Sequence, residues 1–102
     1  MHNALVVAQK FEQFVMHYGE DPFISRTLSK MVATRLTMLQ KELKRVQGSL
    51  VRFEQSHGKT SDVFMKEFQS GISGDDMDFI EWAALIQMAE RLRAERTALQ
   101  GN

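Results

Sequence analysis

Residues 32–53 read VATRLTMLQKELKRVQGSLVRF. Within them Val32, Leu36, Leu39, Leu43, Val46, Leu50 and Phe53 recur alternately four and three residues apart. The positions between, including Arg35, Gln40, Lys41, Glu42, Lys44, Arg45, Gln47 and Arg52, are almost all polar. A 3.5-residue period is the signature of a coiled-coil seam, because slight supercoiling keeps such a stripe facing a neighbouring helix. The stretch predicts a long helix pairing with a partner helix along Val32–Phe53. Upstream, Asp21-Pro22 supplies a start: the carboxylate accepts from orphan amides, and proline at the first helical position loses no bond. Downstream, His57-Gly58 supplies the stop. A helix over 22–56 would be roughly 50 Å long at about 1.5 Å per residue, more than a compact domain of this size needs. Gly48 inside it costs about 1 kcal/mol relative to Ala, unless a close neighbour requires it.

The flanking segments are helical too. Over 3–18, Val7, Phe11, Phe14 and Tyr18 share one face, and Gly19 ends the run. A short helix over 61–70 starts with Ser61 as its expected cap and carries Phe64 and Phe68 on one face. Gly71 and Gly74 permit positive φ, and Gly74-Asp75-Asp76 turns the chain into a last helix over 76–100. That helix is expected to bury Phe79, Trp82, Leu85, Ile86, Ala89 and Leu92. The expectation is one all-α domain over 1–102, a helical hairpin or bundle of about four helices around one long coiled-coil-like helix, forming a dimer.

Composition narrows the function. The 102 residues contain no cysteine, which excludes a disulfide framework, thiolate zinc sites and a cysteine nucleophile. That is compatible with the cytoplasm, the expected compartment. No unbroken apolar run is longer than Ala4 to Ala8, which is too short to span a membrane. Thirteen basic and thirteen acidic residues cancel, so no global field favours nucleic acid or an anionic membrane. Locally the balance breaks. Residues 22–58 hold seven basic side chains against two acidic, and residues 61–90 hold seven acidic against one basic. The simplest reading sets an acidic C-terminal arm against the basic long helix, in the same chain or a dimer mate.

Little in the chain suggests chemistry. Asp75, Asp76, Asp78 and Glu81 are the one candidate cation or acid/base cluster. Aspartates at a helix start are accounted for by capping and the helix dipole. His2, His17 and His57 fall on separate segments without metal-ligand spacing, and no serine has a nucleophile-elbow context. No catalytic residue, metal ligand or cofactor is expected, and the chain is read as a non-enzyme.

One stretch is more particular than helix physics requires. Leu50-x-x-Phe53-Glu54-x-x-His57-Gly58-x-x-Ser61-x-x-Phe64-x-x-x-Phe68-x-x-Gly71-x-x-Gly74-Asp75-Asp76-Met77-Asp78-Phe79-x-Glu81-Trp82 resembles a family of small, all-helical, antitoxin-like prokaryotic proteins. In that family a coiled-coil helix leads through a glycine stop into a Ser-capped short helix, a Gly-Asp-Asp turn and a Phe/Glu/Trp-bearing helix. The resemblance covers residues 22–95. This chain departs from it at His57, where tyrosine is usual, and at Ile72-Ser73, where Glu-Leu is usual. It implies a protein-binding module encoded beside a small toxin. The expected partners are therefore a second copy of the chain and a small toxin-like protein, with no membrane, and nucleic acid only as part of a complex. Two other classes stand beside it: a metal-dependent nucleotide hydrolase using the Asp75–Glu81 cluster, and non-specific nucleic-acid binding by the basic face of the long helix.

Overall fold

The structure, a computed structural model, describes residues 3–19 and 21–101. Among these residues the regular structure is four α-helices: α1 (Ala4–Tyr18), α2 (Pro22–His57), α3 (Ser61–Gln69) and α4 (Met77–Gln100). Each lies within a residue of the range read from the sequence, and the class is all-α. No helix among the described residues is long and apolar enough to cross a membrane. Where the sequence reading treats 1–102 as one domain, backbone contacts separate two compact units, Met1–Thr34 and Arg35–Asn102, and α2 contributes residues to both.

The first unit is an αα-hairpin. Asn3 caps α1 by accepting the Val6 backbone N–H at 2.9 Å, and Gly19 closes it at φ 82° while donating to the Val15 carbonyl at 2.8 Å. Asp21 then does what its place before proline predicts: its carboxylate accepts the Phe23 N–H at 2.7 Å, and Pro22 opens α2. Packing within the hairpin is sparse. Val15 and Ile24 are half-buried, and every other described side chain of the unit is exposed.

The second unit holds the core. Leu39, Leu43, Val46 and Leu50 of α2 are buried with Phe64 of α3 and with Trp82, Ala83, Ile86, Ala89 and Leu92 of α4. Phe53, Met65, Phe68, Phe79, Leu85 and Met88 pack around them, half-buried. α4 runs antiparallel to α2. At one end the Phe53 ring stacks on Trp82 with centroids 5.6 Å apart, and at the other Arg35 Nη2 lies 3.6 Å from Glu95 Oε2. From Leu39 to Phe53 the helix that packs against the stripe is α4 of the same chain, with Phe64 of α3 beside it. The physical reason lies in α4 itself, whose Ala83 and Ala89 leave room for the larger side chains of α2 while Trp82, Ile86 and Leu92 fill the remainder. Burial of each large aliphatic side chain contributes about 1.5–3 kcal/mol, an upper figure because unfolded chains already hide some apolar surface. The beginning of the stripe behaves otherwise: Val32 is exposed and Leu36 only half-buried.

Gly48 has no crowded neighbour within the chain. A Cβ built there would meet only the Arg52 Nη1 atom, at 3.9 Å. Gly74, by contrast, takes φ 80°, the conformation expected of it in the turn before α4, as does Gly71 at 84°.

Candidate functional site

The motif residues carried by the resemblance meet at the end of the second unit. Phe64 and Trp82 are both fully buried and stack nearly parallel, 3.9 Å between centroids at 4°. Phe53 and His57 cover the other side of the indole, and Phe79 meets His57 edge-on at 5.3 Å. The indole N–H donates to Ser61 Oγ at 3.0 Å, giving this buried ring the partner its polar edge needs. The Ser61 backbone N–H in turn donates to Glu54 Oε2 at 2.8 Å, which ties the start of α3 to α2. Lys59 and Glu67 pair at 3.0 Å across the same corner.

Ser61 is thus not the cap that the sequence suggests. Thr60 caps α3, accepting the Val63 N–H at 3.3 Å. Thr60 and Ser61 are equally able to cap, and the register of Phe64 against the core decides between them. With Ser61 one position inside the helix, its hydroxyl is free to hold Trp82. Phe68 and Phe79 sit half-buried beside this cluster. The arrangement is a hydrophobic corner locked by two long-range hydrogen bonds, and it contains no nucleophile aligned with a base.

The acidic residues do not converge. Asp75, Asp76, Asp78 and Glu81 are all exposed. Asp76 is spent as the cap of α4, accepting the Asp78 N–H at 2.9 Å. Among the described residues no group of three or more acidic or histidine side chains is placed to hold a metal ion. His17 and His57 lie on different helices, and His2 is outside the described residues.

The charge asymmetry makes little direct contact. Among the described residues the ion pairs are Arg35–Glu95, Arg45–Glu42 and Lys59–Glu67, so a single pair links α2 to α4 and their packing is otherwise apolar. The Arg45 guanidinium grips Glu42 with two nitrogens. Its hydrogen bonds, with its charge as a smaller cause, hold the Glu42 carboxyl below the usual glutamate range. Arg52 leans on Ser49 Oγ at 3.0 Å. On the basic face of α2, Arg45 and Arg52 are partnered within one turn, and Arg35 reaches Glu95 of α4.

The most unusual surface belongs to the first unit. Val7, Phe11 and Phe14 are 41, 43 and 44 % exposed, and with Lys10 and Ile24 they line an open cleft of about 370 Å³ between α1 and the start of α2. Nearly all of its wall is hydrocarbon and aromatic ring, with one ammonium at the edge. Chemically such a cleft is suited to receiving apolar groups. The sequence marks this face through the four-three-four spacing of Val7, Phe11, Phe14 and Tyr18, but spacing does not reveal that it stays open. Compared with known protein families, curated proteins and solved structures, the chain finds no match.

Proposed function

We propose that the chain is a non-enzymatic, homodimeric protein-binding module that acts as the antitoxin-like partner of a small toxin-like protein in a prokaryotic cytoplasm. The observation that carries this reading is the first unit, a helical hairpin with no buried side chain among its described residues and an aromatic cleft facing solvent. Exposed contiguous apolar surface on a small protein marks a docking site far more often than a catalytic one. In the second unit Asp76 caps α4, Ser61 holds the Trp82 indole and Lys59 pairs with Glu67, so these three polar groups serve the fold. Docking to another protein chain requires area and a few aromatic anchors rather than a catalytic constellation, and the hairpin offers such a surface for the pairing of copies.

The test is co-expression with the small protein encoded next to it. The expected result is a stoichiometric complex on size exclusion, together with relief of any growth arrest that the neighbour causes alone. Separate elution of the two proteins at micromolar concentration, or nucleotide turnover by the purified chain in Mg²⁺ or Mn²⁺, would overturn the reading.

A further inference from the structure

The two stretches of apolar stripe have opposite fates. On α2 the stripe from Leu39 to Leu50 is buried by the chain's own α3 and α4. On α1, Val7, Phe11, Phe14 and Tyr18 remain 41, 43, 44 and 78 % exposed. A helix of 15 residues is marginal by itself in water, and helices of this length are held mainly by burying an amphipathic face. Within the hairpin only Val15 and Ile24 reach half-burial, so α1 obtains little of that support from α2.

We propose that the α1 face, with the cleft it forms beside Ile24, is the surface on which a second copy of this chain docks. Two hairpins then close into a four-helix bundle about a two-fold axis. This rests on the homodimer of the preceding section and assigns that dimer to a different surface from the Val32–Phe53 stripe. Area argues for the occupant. At ordinary side-chain sizes Val7, Phe11, Phe14 and Tyr18 leave on the order of 450 Å² of apolar surface open. A standard interface takes about 800 Å² from each partner, of which somewhat over half, roughly 450 Å², is apolar. One copy therefore supplies what one half of a stable symmetric interface requires. Symmetry argues the same way. An isologous contact uses the same patch twice, and each copy offers the same open cleft walled by the half-exposed rings of Phe11 and Phe14. Pairing two such hairpins creates the shared core that neither has alone.

Sedimentation velocity of the full chain between about 1 and 100 µM, unaltered and as the double variant Phe11→Glu/Phe14→Glu, tests this. The unaltered chain is expected to sediment as a dimer and the variant as a monomer, with dimer affinity weakened at least about 100-fold. Trp82, the single tryptophan, is buried in the second unit, so an unchanged near-UV spectrum shows that the variant keeps that unit folded. Hydrogen exchange on the unaltered chain needs no substitution: α1 amides should gain protection as concentration rises while those of Leu39–Leu50 do not change. A variant that remains dimeric overturns the assignment and leaves the homodimer standing. An unaltered chain that is monomeric throughout overturns both. α1 protection independent of concentration also overturns the assignment.

Discussion

Replacing Gly48 by alanine gives the cleanest reading of how α2 is used. Glycine in a helix interior is about 0.8–1.0 kcal/mol less favourable than alanine, because the unfolded chain loses more freedom on folding and no side chain offsets it. Such a glycine survives at no loss only if a neighbour occupies the space its Cβ would need. In this chain the nearest atom to that Cβ is Arg52 Nη1 at 3.9 Å, ordinary contact with the far end of a flexible side chain. Arg52 itself is held only by an exposed bond to Ser49, so it can shift. Gly48→Ala should therefore stabilise the protein by about 1 kcal/mol, raising Tm by about 4–8 °C in a domain of this size. The assay is thermal and urea unfolding followed by circular dichroism at one fixed protein concentration, so that dimerisation does not enter the comparison. A Tm that is unchanged or lowered would refute the reasoning. It would mean that the face of α2 at Gly48, opposite the Leu39–Phe53 stripe, lies against another backbone in solution.

Leu43→Ala should cost about 2–5 kcal/mol in urea unfolding, because Leu43 is a core side chain between α2 and α4; a loss confined to dimer affinity would return it to a seam between copies. Ser61→Ala leaves the Trp82 indole N–H buried without an acceptor, which should cost about 1–3 kcal/mol and shift tryptophan emission; an unchanged spectrum and Tm would show that the bond is not formed. Gly74→Val should cost about 1–2 kcal/mol through backbone strain alone, since φ is 80° and no atom lies within 4 Å of the added Cβ; equal melting temperatures would remove the conformational demand from this turn. Glu42 has a folded-state pKa below its unfolded one, so its contribution is present above the ordinary glutamate value and is lost as pH falls through the lowered value. Because both side chains of the pair stay open to solvent over much of their surface, Glu42→Gln should remove only a small, salt-sensitive part of the acid limb of a stability–pH curve, and a large loss at neutral pH would contradict this.

The helices were legible because their ends carry specific chemistry: Asp21-Pro22 opens α2, Asp76 caps α4, and Gly19 ends α1. The stripe from Leu39 to Phe53 was legible as a buried face but not as to its neighbour. A 3.5-residue repeat states that a helix lies opposite without stating which chain supplies it, and α4 presents only a broad apolar face with alanines at Ala83 and Ala89. At the corner cluster, Trp82 and Phe64 were readable as core residues, whereas the bonds from Trp82 to Ser61 and from Ser61 to Glu54 were not. They join residues distant in the chain, and a choice of cap between Thr60 and Ser61 frees the hydroxyl that makes one of them. The acidic run looked like a candidate cation site because composition counts carboxylates and not their directions; the fold sets them around a helix start. The openness of the α1 face was invisible, since the spacing of Val7, Phe11 and Phe14 is the same whether the face is covered or bare.

The central claim is that the molecule works by docking through its first hairpin while its second unit supplies its own core. Multi-angle light scattering on the unaltered chain at micromolar concentration tests it most directly. A mass of twice the single chain, falling to one chain when Phe11 and Phe14 become glutamate and the tryptophan signal stays native, is the predicted result. A single-chain mass at every concentration, with α1 nonetheless fully helical and protected, would contradict it.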